Sequence, residues 1–400
     1  MPKRLVVCCD GTWNSPDEKN PTNVSKIALA IAPSDASGKE QRTYYGSGVG
    51  TRKNERFRGG AFGVGLSRDV RNAYRFLVDN FEPGDEIYFF GFSRGAFTAR
   101  STAGFVARCG ILRREHTHRI DEAYALYRSK KKSAGREGIE SILFRRAYSH
   151  ETWIRFVGVF DTVGSLGIPL NLWRLSGLIN RRWQFHDTEL SPTVDSAFHA
   201  LAIDEKRRPF RPTVWAPKKD DTKTGPGEDV TPPPDPRRGR PPQQIEQVWF
   251  AGVHKDVGGG YAKHSASDIT LQWMVDRARR CHLEFRAGAF DDRSSNEGQP
   301  ATEEEWRLRA YTSVAPDALG ELNESRRGFY KLLRGYSRPL GTGLKETEYV
   351  ASTAKQRLEL PGYAPRGLVR YLDDSDRIMD VSTPTVAPAA PGPRQRRLPT

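Results

Sequence analysis

The chain has 400 residues, a formal net charge of +14 at pH 7 and a hydrophobic fraction of 37%. This length allows one large domain or two, and we expect a single α/β domain over residues 1–380. No stretch reaches the roughly 18 to 20 uninterrupted apolar residues that a membrane-spanning helix needs. The apolar run after the first residues is too short for a Sec signal sequence. These features exclude a helical membrane protein and predict a soluble one.

The four cysteines show neither the paired spacing of a metal site nor the density of a disulfide scaffold. We therefore expect a reducing, cytoplasmic compartment, with export by a specialised secretion system left open. The positive charge favours contact with anionic partners, either phospholipid headgroups or nucleic acid, and does not choose between them. We predict peripheral contact with an anionic membrane as one interaction, and we predict no specific nucleic acid partner.

In chain order, four short apolar runs are typical of strands buried on both faces of a parallel sheet. They are residues 5–9, 87–90, 156–160 and 248–253. Apolar residues at helical spacing follow two of these runs, over residues 70–77 and 96–106. Strands that alternate with helices predict an α/β-hydrolase-like fold, with a mostly parallel, doubly wound sheet and helices on both faces.

Two segments differ from this pattern in composition. Residues 216–244 are rich in Pro, Lys, Asp and Gly, and residues 383–400 are rich in Pro, Ala and Arg. Such compositions bury too little apolar surface to fold, so we predict a disordered insertion and a disordered tail. Residues 129–138 include three consecutive lysines and predict an exposed helix end or loop.

Each predicted strand is followed by a polar residue with catalytic potential. These residues are Asp10, Ser93, Asp161 and His254. Ligands bind at the carboxyl ends of the strands in open parallel sheets, so we expect the four side chains at one edge. Ser93 lies in the sequence Gly91-Phe92-Ser93-Arg94-Gly95, between a strand and a helix. That context, more than the five-residue motif itself, predicts a nucleophile elbow.

A serine hydroxyl is a weak nucleophile and needs a base, which in turn needs a carboxylate to hold it. The chain order Ser93, Asp161, His254 is the order used by α/β-hydrolases, and we predict these three residues as a catalytic triad. His254 ends an apolar strand and enters a glycine-rich loop that contains Asp256. His199, which we expect on a half-buried helix, is the second choice of base. The alternative role for Asp161 is to cap a turn.

An oxyanion hole needs two hydrogen-bond donors near the nucleophile. The backbone N–H of Arg94 is the expected first donor, because it follows Ser93 at a helix N-terminus. The second must come from a loop after another strand, and we predict Gly11 or Thr12. Asp10 would then orient this loop by accepting backbone hydrogen bonds. The mechanism requires no metal and no cofactor.

Six motifs of this chain are highly specific when they are taken together and in order. They are CDGTWN at 9–14, YYGSGVGT at 44–51, PGD at 83–85, GFSRGA at 91–96, FDTVG at 160–164 and HKDVGGGY at 254–261. The set resembles an α/β-hydrolase family known as a domain of unknown function, which includes the catalytic domains of type VI secretion phospholipase effectors. Residues 201–215 are also similar to this family. The resemblance spans about residues 4 to 280 and implies a triad on Ser93, Asp161 and His254.

Residues 166–179 follow Asp161 and are too apolar for an ordinary surface loop. They predict either a lid that contacts acyl chains or a helix packed in the core, and both remain open. A lid beside a basic surface would suit an ester of an anionic lipid. We therefore predict a serine esterase of the lipase or phospholipase type, with an ester or phospholipid substrate.

Two other functional classes remain open from the sequence. Asp10, Asp161, His254 and Asp256 could form a metal-dependent phosphoesterase centre. Alternatively, a basic protein could bind anionic membrane or nucleic acid and keep only a relict site. Activity that resists chelator and is lost in Ser93→Ala would exclude the first class. Salt-dependent binding without fluorophosphonate labelling would favour the second.

Overall fold

The structure is a computed structural model that describes residues 2–11, 19–48, 61–164, 190–216, 237, 239–291, 302–331 and 334–381. The strands are β1 (Arg4–Cys9), β2 (Gln41–Gly46), β3 (Glu86–Phe92), β4 (Ile111–Leu112), β5 (Ser149–His150), β6 (Ile154–Phe160), β7 (Val194–Ala202), β8 (Gln244–Phe250), β9 (Glu348–Ala351) and β10 (Ile378–Met379). The α-helices are α1 (Asn23–Ala30), α2 (Ala61–Asn80), α3 (Arg94–Cys109), α4 (Ile120–Arg128), α5 (Ile139–Tyr148), α6 (His254–Gly258), α7 (Ser265–Arg280), α8 (Glu303–Thr312), α9 (Ser352–Gln356) and α10 (Arg366–Asp374).

In the described part of the chain, the main sheet has eight strands in the order β10-β9-β8-β7-β6-β3-β1-β2, and all neighbours pair in parallel. The chain runs from β1 to β2 on one side and then returns to β3 on the other side of β1. This reversal is a topological switch point, where the carboxyl ends of the strands leave a crevice. The register aligns Cys9 with Gly91 and Phe92 with Phe160. The residues that follow β1, β3 and β6 therefore lie side by side.

Both faces of the sheet are covered, because alternate residues of each central strand enter two different cores. Val6 and Cys8 of β1 pack in the core that includes residues of α1 and α7. Leu5 and Val7 pack in the core that includes residues of α2 and α3. The apolar runs thus form strands that are buried on both faces, and the predicted α/β-hydrolase-like, doubly wound fold is confirmed.

Three of the apolar runs form most of β1, β3 and β6, and the helical spacings lie in α2 and α3. The fourth run supplies only the last three residues of β8 and continues into the loop before α6. Our assignment of His199 to a half-buried helix is wrong, because this residue lies on β7 and is fully buried. It pairs with Val159 of β6 and with Gln247 of β8. A short apolar run fits a helix or a strand equally well in isolation. Parallel pairing with β6 and β8 makes this segment a strand.

Three predicted segments lie wholly or mostly outside the described residues. They are residues 217–236 of the insertion, residues 383–400 of the tail, and residues 166–179 after Asp161. The end of the insertion is described: Arg237 and Arg240 both form ion pairs with Asp195 of β7, just before β8 begins. No described helix is both long enough and apolar enough to cross a membrane.

Candidate active site

Ser93 has a strained backbone between β3 and α3. Its φ of 57° and ψ of −118° lie outside the regions that residues other than glycine ordinarily adopt. Its N–H donates to the carbonyl of Phe160, at the end of the neighbouring β6, over 3.0 Å. The strand, turn and helix thus form the sharp elbow that presents a side chain at the carboxyl edge of the sheet.

Two glycines beside Ser93 are required by close backbone approach. A Cβ atom on Gly95 would lie 2.0 Å from the carbonyl oxygen of Cys9, at the end of β1. A Cβ atom on Gly91 would lie 2.6 Å from the Cα atom of Ala96. Contacts this short do not occur, so a side chain at either position would push the start of α3 away from the sheet.

His254 begins α6 and contacts both other members of the predicted triad. Its Nε2 lies 2.8 Å from Oγ of Ser93, and its Nδ1 lies 2.5 Å from Oδ2 of Asp161. An ionised carboxylate only accepts hydrogen bonds, so Nδ1 carries the proton and Nε2 accepts from the serine hydroxyl. The rings of Phe92 and Phe210 pack against the imidazole at 4.7 and 5.0 Å. The imidazole is therefore held in one orientation, and it is 4% exposed.

Asp161 follows β6 and is fully buried. Its φ of 40° is a left-handed conformation, which Asp tolerates better than most residues. Its N–H donates to the carbonyl of Ala200 over 2.7 Å, and its Oδ1 accepts from the N–H of Ala202 over 3.1 Å. The neighbouring strand β7 thus orients the carboxylate toward His254.

Arg338 was missed by the sequence reasoning and forms a bidentate ion pair with Asp161. Its Nη1 lies 2.6 Å from Oδ1, and its Nη2 lies 2.9 Å from Oδ2. The same guanidinium donates to the carbonyls of Ala202 and Phe210. Both charged side chains are fully buried. Arg338 lies in an irregular segment before β9, where no strand end or motif marks it in the sequence.

Burial and charge act in opposite directions on the two titratable groups of the triad. Burial raises the pKa of Asp161, but the charge of Arg338 and the hydrogen bond from His254 outweigh it and hold that pKa well below its usual range. Burial lowers the pKa of His254 below its ordinary value and outweighs the hydrogen bond to Asp161. At neutral pH, Asp161 is therefore ionised and His254 is neutral, which are the states that a general base needs.

A second ion pair, whose carboxylate is fully buried and whose guanidinium is partly exposed, contacts the backbone of His254. Oε2 of Glu205 accepts from the His254 N–H over 3.3 Å. Arg207 donates Nε and Nη2 to the same carboxylate over 2.9 and 2.8 Å, and its guanidinium stacks on the ring of Phe210 at 3.7 Å. These contacts fix the start of α6. The family resemblance included this segment, but the strand-end reasoning did not single out either charged residue.

Asp10 organises the loop after β1. Its Oδ1 accepts from the N–H of Gly11 over 2.6 Å, and its Oδ2 accepts from the hydroxyls of Thr22 and Tyr45 over 2.5 and 2.7 Å. The N–H of Gly11 is therefore bonded to the neighbouring carboxylate, and its role as an oxyanion donor stays a prediction. Thr12 lies outside the described residues, and its role stays a prediction.

Arg94 opens α3, so its backbone lies at the helix N-terminus next to Ser93. Burial lowers the pKa of its guanidinium to about 10. The predicted part of Arg94 in the oxyanion hole is its backbone N–H, and that role stays a prediction.

Asp256 holds together the loop after β8. Its Oδ2 accepts from the N–H of Val253 over 3.0 Å and from the N–H of Asn323 over 3.1 Å. Its Oδ1 accepts from Nδ2 of Asn323 over 2.6 Å. Burial raises the pKa of this carboxyl. Asp256 therefore supports the helix that carries His254 and ties it to a distant segment.

His199, our second choice of base, is engaged elsewhere. Its Nε2 accepts from the N–H of Thr162 over 3.1 Å, and its ring packs against Trp215 at 5.3 Å. The histidine that contacts Ser93 is His254.

The residues considered for a metal centre do not converge. Asp161 is hydrogen-bonded to His254. The carboxylates of Asp10 and Asp256 instead accept hydrogen bonds from Thr22 and Asn323. Within the described ranges, no group of three or more His, Cys, Asp and Glu side chains is arranged to hold a metal ion.

The chain is similar to several known proteins. A family model described as the catalytic domain of Tle1-like phospholipase effectors of type VI secretion systems matches residues 3–277. An uncharacterized protein of Saccharomyces cerevisiae is 30% identical over 237 residues, which cover 54% of this chain and 33% of the yeast protein. The chain thus spans about a third of the length of this relative.

Two solved structures are distantly similar. An uncharacterized protein from Pseudomonas aeruginosa is 16% identical, with a TM-score of 0.44 over 79% of this chain and 49% of that chain. The Tle1 effector bound to the VgrG spike of the type 6 secretion system is 15% identical, with a TM-score of 0.40 over 78% of this chain and 84% of that chain. Because the family model covers well over half of its length, this chain belongs to the Tle1-like family of type VI secretion phospholipase effector catalytic domains.

Proposed function

We propose that this protein is a serine hydrolase that cleaves carboxylic esters of phospholipids. Ser93 is the nucleophile, His254 the general base and Asp161 the carboxylate that holds His254. The observation that carries the proposal is the unbroken hydrogen-bonded line from Oγ of Ser93 through the imidazole to Oδ2 of Asp161. The strained elbow at Ser93 and the neutral, buried imidazole support it, because both are properties that an activated serine needs.

In the proposed reaction, Oγ of Ser93 attacks the ester carbonyl carbon while Nε2 of His254 takes the hydroxyl proton. The tetrahedral intermediate collapses, the bond to the alcohol breaks, and the alcohol leaves with that proton. Water then attacks the acyl-enzyme and gives a proton to His254, which returns it to Oγ as the carboxylic acid is released. Asp161 stays ionised throughout, because its role is to stabilise the imidazolium.

The oxyanion that forms in both steps needs hydrogen-bond donors. The backbone N–H of Arg94 is the first, since it follows the nucleophile at the positive end of the α3 dipole. The second is assigned to Thr12 in the loop after β1. Gly11 is the less suitable of the two candidates, because its N–H is bonded to Asp10.

A phospholipid substrate is supported by the family to which the chain belongs. The net charge of +14 supports peripheral contact with an anionic membrane, because a basic surface concentrates a protein there. The apolar segment 166–179 is the proposed contact for an acyl chain. The proposed reaction uses neither a metal nor a cofactor, and the proposed function involves no nucleic acid.

The serine mechanism is tested by labelling with a fluorophosphonate, which phosphonylates activated serines. The wild type is expected to be labelled, and Ser93→Ala and His254→Ala are expected to lose labelling. Ser101→Ala is the matched control, because Ser101 is a buried serine farther along the same helix α3. A folded wild type that stays unlabelled would contradict the serine mechanism.

The substrate is tested by fatty acid release from vesicles of phosphatidylglycerol and, separately, of phosphatidylcholine. We expect release from both, faster with the anionic vesicles at low salt, and unchanged by a chelator. Release of a phosphorylated or alcohol headgroup instead of fatty acid, lost with chelator and kept in Ser93→Ala, would indicate the metal-dependent phosphoesterase. Salt-dependent vesicle binding without any release would indicate a binding protein with a relict site.

A further inference from the structure

Arg338 has no part in the proposed proton transfers, yet it bonds the one carboxylate on which they depend. We propose that Arg338 is a positioning residue of this reaction. It fixes the plane of the Asp161 carboxylate and compensates its charge, so that His254 stays an unprotonated base at lower pH than it would beside an uncompensated carboxylate. This inference rests on the proposed function.

The geometry leaves the carboxylate of Asp161 one orientation. Each oxygen receives one N–H of the guanidinium, and the second bond to Oδ1 comes from the N–H of Ala202. The remaining bond on Oδ2 is the one from Nδ1 of His254. A bidentate arginine defines the plane of its partner, whereas a lysine defines only a point of contact. Rotation of the carboxylate away from the imidazole would break both bonds to Arg338.

The charge of Arg338 also changes the free energy of protonating His254. Beside a lone buried carboxylate, the imidazolium would be strongly favoured, because opposite charges attract in a medium of low dielectric constant. The buried Asp161–Arg338 pair has no net charge. The free energy of protonating the Asp161–His254 unit is therefore less favourable than it would be beside a lone carboxylate. Removing the positive charge must therefore make that uptake easier and move it to higher pH.

Apart from His199, whose pKa the charge of Arg338 also lowers, the other polar groups around His254 form no hydrogen bond or ion pair with Arg338 within the described residues. They are the hydroxyl of Ser93 at the start of α3, the pair of Glu205 and Arg207 after β7, and Lys255 and Asp256 on α6 itself. A shift in the titration of His254 on replacement of Arg338 is therefore assigned to the lost guanidinium.

A purely structural arginine of the same kind provides the matched control. Arg145 is also buried, and its Nη1 donates to the backbone carbonyls of Arg108 and Arg136 over 2.9 Å each. It contacts no member of the triad, and it lies on α5 near the amino ends of the strands. Arg145→Met and Arg338→Met both remove a buried guanidinium from two backbone carbonyls. Arg145→Met also removes an ion pair with the exposed Glu151. Only Arg338→Met removes the guanidinium from Asp161.

The experiment measures the second-order rate constant of fluorophosphonate labelling against pH for the wild type, Arg338→Met, Arg338→Lys and Arg145→Met. For Arg338→Met we expect the midpoint of the acid limb to rise by about one pH unit or more, with a maximal rate about 100-fold lower. Arg338→Lys keeps the charge but not the bidentate geometry. Its midpoint is expected to stay near that of the wild type, with a rate about tenfold lower.

Arg145→Met is expected to lower the melting temperature while it leaves both the midpoint and the maximal rate unchanged. An unshifted midpoint in Arg338→Met, or an equal shift in Arg145→Met, would overturn the inference. If Arg338→Met does not fold, Arg338→Lys decides: a reduced rate at the wild-type midpoint supports the positioning role, and a wild-type rate refutes it. A wild type that is unlabelled at every pH defeats the proposed function instead.

Discussion

Two buried aspartates in this molecule, Asp161 and Asp268, each bind the Nδ1 atom of a histidine. The two histidines, His254 and His264, lie close together in the sequence. Oδ2 of Asp161 lies 2.5 Å from His254, and Oδ2 of Asp268 lies 2.6 Å from His264. Both aspartates are fully buried. Judged by the carboxylate and the imidazole alone, the two clusters are equally good candidates for a catalytic pair.

Each of the two aspartate–histidine clusters also contains a buried cation. Arg338 bonds Oδ1 of Asp161 over 2.6 Å, and Lys26 bonds Oδ1 of Asp268 over 2.8 Å. In both clusters burial raises the pKa of the carboxyl, and the histidine and the cation lower it further than burial raises it. The direction of the carboxyl pKa shift therefore does not distinguish a candidate site from a structural cluster.

The difference lies in what faces the second nitrogen of the histidine. Nε2 of His254 is bonded to Ser93, which a strained turn at the end of β3 delivers. His264 precedes α7, is bonded to Asp268 one helical turn later, and its side chain is 22% exposed. An aspartate, a histidine and a cation thus make a structural anchor on a helix. The same groups become a candidate catalytic unit where strand ends bring a nucleophile to them.

The largest expected effect is on the two histidines. His254→Ala should lower the rate of phospholipid hydrolysis by about 10⁴-fold or more, because Ser93 then lacks a base. His264→Ala should change that rate by no more than about twofold, because its partner is part of a structural anchor. The measurement is kcat on vesicles for both variants. A comparable loss in His264→Ala would show that the second cluster takes part in the reaction.

The two aspartates should separate activity from stability. Asp161→Asn should lower kcat by about 10⁴-fold, because an amide favours the wrong tautomer of His254. Asp268→Asn should leave kcat near that of the wild type but lower the free energy of unfolding by about 3 kcal/mol, since Lys26 would remain buried without its countercharge. Urea unfolding followed by circular dichroism, alongside kcat, checks both. Equal stability of Asp268→Asn and the wild type would refute the anchoring role.

The positions of Ser93, Asp161 and His254 could be predicted because each follows an apolar run, and strand ends are local features of a sequence. Parallel pairing then brings such ends to one edge without any knowledge of distant contacts. The same reasoning does not decide between Gly11 and Thr12 as the second oxyanion donor. Which partner a backbone N–H takes depends on the path of one loop, and here Asp10 accepts from that of Gly11.

The parts that could not be predicted depend on contacts between distant segments. Arg338 lies in an irregular stretch and reaches Asp161 only because the chain crosses the carboxyl edge again before β9. The sequence around His199 fits a helix or a strand, because a run of four mostly apolar residues has no clear period. The pairing of β7 with β6 and β8 makes it a strand. Edge strands such as β2 carry polar, exposed residues and gave no strong apolar signal.

A smaller effect is expected at Gly95, in the backbone next to the strained turn that carries Ser93. Gly95→Ala should lower the free energy of unfolding by about 2 kcal/mol, because the new Cβ would meet the carbonyl oxygen of Cys9. An exposed glycine in a helix would instead gain stability from the same change. Gly164→Ala is the control, since its Cβ would meet only Thr213 at 3.9 Å. A stabilised Gly95→Ala would mean that α3 and β1 are less tightly packed than described.

The smallest expected effect is the pH dependence of stability that His254 contributes. Its pKa in the folded protein lies below the ordinary value of 6.5, so the unfolded chain takes up the proton at a higher pH than the folded chain does. The unfolding free energy contributed by His254 is therefore complete above pH 6.5 and falls as the pH drops below it, by at most about 1.4 kcal/mol per pH unit. Urea unfolding of the wild type and His254→Gln at several pH values isolates this slope, because the variant keeps every other histidine. If the slopes are the same, burial does not hold the imidazole neutral, and the electrostatic difference between His254 and an ordinary surface histidine disappears.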